Sequence, residues 1–392
     1  MTSRITAVRA TPINVPLVVP YHCSVGVYQG FSTTIVEVET EDGVVGIGEA
    51  STPFAAGVIE SRIAPNLLGA DPLDLADCER RCMPPIEAYQ NIDDNSIVMA
   101  WGGIEMALWD LSGRLQDRSI GELLGGQVRN VVPFTEYFAF RLARDGVGGE
   151  STPSEVAQYC ARMAEEFGAT GFEGKAGVKS IGTEVAMARE IRAAVGDDPI
   201  LRLDANMAWS TTTAREAMRR LEPYNLSSFE EPVRTHREMA LLRQSTTIAF
   251  SAHDPNLVAA VEWGVPDAIV INLTVLGGIR RTVAFIAACE AFGVDVWFYS
   301  EPGVSTAAHL QVASAISWLA LPSQTLARWQ TDDVLSEGVF VPRNGELGVP
   351  AGPGLGVNLD PSALRRCHQR FLDEGPYNPY ADPAPGSRWA MR

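Results

Sequence analysis

Nowhere in the 392 residues does an apolar run approach the eighteen or more needed to span a membrane. The amino-terminal stretch MTSRITAVRATPINVPLVVP has no continuous apolar core after its charges, which speaks against a signal peptide. Positive charge is scarce as well. The 31 lysines and arginines face 48 aspartates and glutamates, a formal net charge of −17. That balance argues against nucleic acid or an anionic membrane as a partner. It does not exclude an anionic substrate, because one local lysine or bound cation outweighs the global field. The six cysteines, Cys23, Cys78, Cys82, Cys160, Cys289 and Cys367, contain no CxxC pair. Buried free thiols in a reducing, cytoplasmic compartment are the expectation, with Cys78 and Cys82 one helical turn apart. No glycine-rich phosphate loop follows the first strand of the parallel region, which argues against a doubly wound nucleotide fold.

What is present is enough chain for two domains with sizeable cores. RITAVRATPINVPL and FSTTIVEVETEDGVVGIGEA alternate like antiparallel strands, with EDG as the turn. PYHCSVGVYQG between them reads as a loop. NSIVMAWGGIEMALWDLSGRLQ follows with a helical period, carried by Ile104, Ala107, Leu108 and Leu111. From about Val131 short apolar runs alternate with amphipathic segments. The runs are VVPFTEYFAF, GFEGKAG, PILRLDANMAW, LSSFEEP, TIAFSAH, DAIVINLT, VDVWFYS and LARWQ. Strand-to-strand steps of roughly 20–30 residues suit βα units, and eight such runs predict a closed parallel barrel. The turn-rich tail, GELGVPAGPGLGVNLDPSALRRCHQRF, is expected to return and pack on the first domain. The expected division is therefore a capping domain over 1–130, completed by residues 340–392, and a barrel over 131–339.

In a parallel barrel the carboxyl ends of the strands share one mouth, where such enzymes place their sites. In chain order those ends carry Lys175, Asp204 with Asn206, Glu230 with Glu231, Ser251 or His253, Asn272, and Tyr299, Ser300 and Glu301. Carboxylates on two successive strands beside a lysine make a hard-cation site of the Mg²⁺ type. Such a cation holds a substrate carboxylate and stabilises the charge that grows when the α-proton leaves. A strand-end lysine is then a candidate base. Glu173, two residues before Lys175, faces the same side of its strand. It either pairs with Lys175 and weakens it as a base, or turns toward the cation and leaves it free.

FEGKAG, LRLDANMAW, FEEP and NLTVLGGI resemble the successive barrel-strand motifs of the enolase superfamily, in its mandelate racemase and glucarate dehydratase branch. IVEVETEDGVVGIGEA, GIEMALWDLSGRLQ and GPGLGVNLD extend the resemblance to nearly the whole chain. It implies an α/β fold, a modified TIM barrel (β/α)7β under an α+β capping domain. It also implies Mg²⁺-assisted abstraction of a proton α to a carboxylate. By the resemblance Asp204 and Glu230 match the first two metal ligands, and Lys175 matches the second lysine of a Lys-x-Lys pair.

The departures bear on the reaction. The first lysine of the pair is Glu173, and Glu173→Lys would recreate it. The third ligand is open between Ser251, His253 and Glu173. His253 is favoured as the strongest donor, although imidazole suits softer divalent ions. Its competing reading is a cap on the helix after DPN. The family's Asp-His dyad is replaced by Asn272 and, at the histidine position, Tyr299. Cys23 and Tyr28 fall where glucarate dehydratases carry substrate-touching Asn and His, so glucarate itself is not the expected substrate. His22, Tyr28, Tyr137, Glu173, Asn206 and Glu301 are the candidate substrate contacts. His236, His309 and His368 fall in helical patterns and are expected to be satisfied structural residues. Packing is the default for Trp209.

The leading expectation is a homo-oligomeric, cytoplasmic, acid-sugar dehydratase-like enzyme using Mg²⁺ or another divalent cation. Lys175 would remove the proton α to the carboxylate of a hydroxy-carboxylate, and water would leave from the β-carbon. A racemase or epimerase, and a catalytically degenerate binding or scaffold member, are the alternatives.

Overall fold

The computed structural model describes residues 3–83 and 96–377. Ile5–Cys23, Gly26–Thr40 and Val45–Ala50 pair in order as an antiparallel sheet. The EDG turn is as expected, with Gly43 at φ +75°. PYHCSVGVYQG is not a loop. The first strand runs through it to Cys23, and the second restarts at Gly26. The helix Ser96–Gln116 lies on this sheet with Ile104, Ala107, Leu108 and Leu111 buried. Gly46 and Gly48 allow the close approach: a Cβ on Gly46 would sit 2.2 Å from the Ala107 carbonyl oxygen.

Eight parallel strands follow, namely Val131–Phe138, Gly171–Lys175, Ile200–Asp204, Ser228–Glu230, Phe250–Ala252, Ala268–Ile271, Asp295–Phe298 and Ser323–Thr325. The first pairs with the second on one side and the eighth on the other. Each of the second to sixth strands pairs with the one after it. Between the seventh and eighth there is no ladder, but Phe298 N donates to Ser323 Oγ at 3.2 Å. The expected barrel is therefore present. Its eighth strand is not LARWQ, in which residues 327–329 form a single 3₁₀ turn; the polar SQT before it makes the strand. The barrel is packed by Phe138, Phe172, Phe229, Phe250 and Phe298, all fully buried.

Helices start on side-chain caps one loop beyond the strand ends. Thr152, Ser180, Ser210, Thr235 and Asn256 each accept a backbone N–H of the first turn. Strand carboxyl ends and helix amino ends thus share one rim. The helix Pro361–Glu374 packs on the first capping strand, as expected of the tail: His368 Nδ1 is 2.7 Å from the Pro12 carbonyl and Arg370 donates to Asn14 O at 3.1 Å. Glu346–Gly348 pairs instead with the first barrel strand. Residues 84–95 and 378–392, which fall within the expected capping domain, lie outside the described residues. All six cysteines are free and buried. Among the described residues no helix is long and apolar enough to cross a membrane.

His236, His309 and His368 are helical as expected, but only His368 is plainly satisfied. His309 stacks on Phe298 at 4.2 Å, its Nε2 lacks a partner, and burial lowers its pKa to about 3. Neither ring nitrogen of His236 has a hydrogen bond, although Nε2 lies 3.7 Å from the Asp254 carboxylate. Trp209 packs on Phe229 with ring centroids 5.2 Å apart.

Candidate active site

The second, third and fourth barrel strands run in register, so Lys175, Asp204 and Glu230 stand side by side at one rim. The chain leaves the third and fourth strands in strained backbone: Asn206 has φ +45° and Glu231 +42°, the left-handed region that non-glycine residues avoid. Lys175 Nζ contacts Asp204 Oδ2 and donates to Asn206 Oδ1 at 2.7 Å. Asn206 in turn holds both Asp204 oxygens, through its backbone N–H at 2.7 Å and its amide at 3.0 Å. It positions the lysine and the carboxylate rather than lining the cavity. Burial opposes the charged lysine, but Asp204, Tyr137, Tyr21 and Glu230 outweigh it and hold Lys175 well above the usual lysine range.

Asp204, Glu230 and His253 each present one ligand atom, all within 4.8 Å of one another. His253 is not a helix cap, since Asn256 caps the helix Leu257–Trp263. Its Nδ1 lies 3.2 Å from the Val270 carbonyl and its Nε2 lies 2.8 Å from Glu230 Oε1. That approach is not a hydrogen bond, and the buried Glu230 Oε1 has no other donor. Burial, then Asp204, raises the Glu230 carboxyl. Burial lowers His253, but Glu230 and Glu231 raise it more, to about 9. An unsatisfied buried oxygen facing a second carboxylate and an imidazole is the donor set a divalent cation completes. The residues fit such an ion, and the nitrogen tilts the set toward softer ions than an all-oxygen one would.

Glu173 does neither of the two things expected of it. It is fully buried below the rim and turned to Arg202 Nη1 at 3.3 Å and Gln324 Nε2 at 2.6 Å. It neither pairs with Lys175 nor joins the cluster, and it does not reach the cavity as a substrate contact. Gln324 also donates to Glu230 Oε2 at 3.0 Å, so Glu173 reaches the cluster only through that amide. Arg202 stacks on Trp297 at 3.7 Å and donates to Pro322 O. Gln324 carries no sequence signal for the site, because the apolar LARWQ that follows it is the stronger strand candidate. A charged Arg202 inside an apolar strand, in register with Glu173, was the signal for the pair.

Across the mouth Asn272 does not partner Tyr299. Its amide donates to Glu301 Oε1 at 2.6 Å, and its oxygen accepts from Thr274 N and Oγ1 and from Ser51 Oγ. Tyr299 stands edge-on to His253, ring centroids 5.1 Å apart. Burial, then Glu301, pushes its phenol well above the usual tyrosine range, which opposes its ionisation. Burial, then Glu49, also pushes Glu301 well above the carboxylate range. On this side of the mouth Asn272 therefore holds Glu301, and no Tyr299–Asn272 pair forms.

Lys175, His253, Asn272, Glu301 and Gln324 border a cavity of about 440 Å³ between barrel and capping sheet. Tyr28 and Tyr137 line it as expected. His22 does not: Tyr21 faces the cavity, and strand alternation turns His22 to the other side.

Residues 5–125 match the mandelate racemase/muconate lactonizing enzyme N-terminal domain model, and residues 155–363 match the enolase C-terminal domain-like model. The chain belongs to the mandelate racemase/muconate lactonizing enzyme family of the enolase superfamily. A probable glucarate dehydratase of Streptomyces coelicolor is 30% identical, over 94% of this chain and 92% of its own. A chloromuconate cycloisomerase of Pseudomonas putida is 28% identical, over 92% and 98%. An enolase from Pseudomonas fluorescens, solved with magnesium, potassium and tartrate, superposes with a TM-score of 0.89 at 25% identity, covering 97% of this chain and 96% of that one. Another from Mycobacterium smegmatis, complexed with tartrate, gives 0.88 at 26%, covering 97% and 95%. The chain is thus an enzyme of a superfamily that uses divalent cations, with both lyase and isomerase relatives.

Proposed function

We propose that the protein is a hydro-lyase that dehydrates a hydroxylated carboxylic acid, with Asp204, Glu230 and His253 holding a divalent cation, Mg²⁺ in the first instance. The observation that carries this reading is Lys175 at the cavity wall, against one of two carboxylates that share a ligand cluster. A cation bound there would anchor the substrate carboxylate and stabilise the charge that develops as the α-proton leaves. The glucarate dehydratase relative and the magnesium- and tartrate-containing neighbour support the lyase class and the ion.

The chain's own residues divide the work. Asn206 keeps Asp204 oriented and receives Lys175. With Asp204 held as a ligand, Lys175 would lose its strongest partner, and beside a cation it would more readily release its proton to solvent; the neutral amine would then take the α-proton. Glu301, whose carboxyl burial pushes well above the usual range, stands just beyond the seventh strand and protonates the departing β-hydroxyl, which leaves as water. The enol that remains tautomerises to the 2-keto acid. Acid and base on different walls give an anti elimination, rather than the syn course that a single base would impose.

The test is turnover of a library of hydroxylated mono- and diacids with Mg²⁺, followed as loss of substrate and gain of 2-keto acid. Keto acid from at least one member is expected. A folded, metal-loaded protein that turns over none would overturn the lyase reading. Epimerisation at the same carbon, for which Glu301 would be the second-face group, would instead return substrate with inverted configuration and solvent deuterium.

A further inference from the structure

The polar groups of the cavity are unevenly distributed. Its barrel end holds Lys175 and His253, and these are the only lysine, arginine or histidine side chains lining it among the described residues. The one carboxyl on the wall among the described residues is that of Glu301, which burial pushes well above the usual range. Five aromatic rings, Tyr21, Tyr28, Phe31, Tyr137 and Tyr299, line it together with the hydroxyls of Ser32, Thr33 and Ser51. Most of these come from the capping strands. The tyrosines are neutral: burial pushes Tyr21, Tyr28 and Tyr299 well above the usual range, and Tyr137 also upward.

A ligand with carboxylates at both ends could place one beside Lys175. The other would lie among hydroxyls and ring faces, near the Glu301 carboxyl, with no cation to pair with. Burying an unpaired charge in that way is costly. The hydroxyls of Ser32, Thr33 and Ser51 are held by Asn14, Glu49 and Thr274, but an uncharged end bearing hydroxyls meets the phenols of the lining tyrosines, which can replace its hydration, and carbon faces of a sugar chain pack on the rings. The cavity volume, about 440 Å³, lies within the usual range for a small-molecule site.

We propose that the site takes a hydroxylated monocarboxylate, its single carboxylate at the Lys175 end and a neutral, hydroxyl-bearing remainder against the capping-domain wall. This inference rests on the lyase reading for which end of the cavity receives the carboxylate. The rejection of a second charge is its own content.

The experiment uses six-carbon aldonic acids and the aldaric acids matched to them at carbons 2 to 5. Each pair differs only in a terminal CH₂OH against a terminal carboxylate. Binding is measured by calorimetry on the Mg²⁺-loaded protein, and turnover is measured separately. In every pair that binds, the aldonate is expected to bind about 100-fold or more tightly than its aldarate. An aldarate that binds as tightly as its aldonate would overturn the inference even where both are dehydrated, leaving the lyase reading intact. Preference for aldonates in binding with no turnover of any acid would uphold the inference and sink the lyase reading instead. Failure of both classes to bind at millimolar concentration would also overturn it.

Discussion

Lys175→Ala is expected to lower turnover of a hydroxy acid by about 10²–10⁴-fold, the usual contribution of a positioned base. The variant should keep its fold, because Lys175 sits at the rim and packs no core. Divalent-cation affinity should stay level or rise, because the substitution removes an ammonium that competes for Asp204. A structural role for the lysine would give the opposite pattern, with weaker metal binding and activity that falls only in proportion. Calorimetric titration with Mg²⁺ or Mn²⁺ and single-turnover rates on the same preparation separate the two. Activity within threefold of the parent would remove Lys175 from the chemistry.

The second large effect is one of stability. Arg202→Met is expected to destabilise the protein by about 3–5 kcal/mol, because Glu173 would be left buried in the barrel without its cation. Glu173 and Arg202 have side chains 0% and 3% exposed, so water cannot replace the lost partner. Gln324 and Thr135 stay as weaker donors to Glu173. Removing both charges with Glu173→Gln/Arg202→Met should recover most of the loss, as replacement of a whole buried pair often does. Denaturation midpoints of the three chains under one metal condition measure this. A single variant that loses less than about 1 kcal/mol, at the level of an exposed ion pair, would show that the pair is not a structural element. The same geometry changes the expectation for Glu173→Lys. The new cation would be buried against Arg202, below the rim, rather than beside Lys175.

The parallel barrel was legible because most of its strands lie in apolar runs, with Lys175, Asp204 and Glu230 at their carboxyl ends. Lys175, Asp204 and Glu230 were legible for the same reason, since strands in register bring their ends together. The eighth strand was not, because SQT is three polar residues long while its neighbour LARWQ is apolar but folds as a turn. PYHCSVGVYQG misled through its glycines, which here only interrupt a long hairpin. The destinations of Glu173 and Asn272 could not be read from spacing along one strand. Each is decided by a partner from elsewhere in the barrel, Arg202 on the third strand for the first and Glu301 just beyond the seventh for the second. His22 and Tyr21 are neighbours in sequence, and only the pleat decides which one meets the cavity.

The most direct test of the account is hydrogen wash-out from the α-carbon. An acid carrying deuterium at carbon 2 is incubated with the metal-loaded protein in ordinary water, and release of the label is followed alongside keto-acid formation. The account predicts a release that accompanies turnover, stops when the divalent cation is chelated, and is lost by at least about 100-fold in Lys175→Ala. Label that leaves the α-carbon at an unchanged rate in Lys175→Ala, or keto acid that forms with the label carried to carbon 3 instead of released to water, would contradict it.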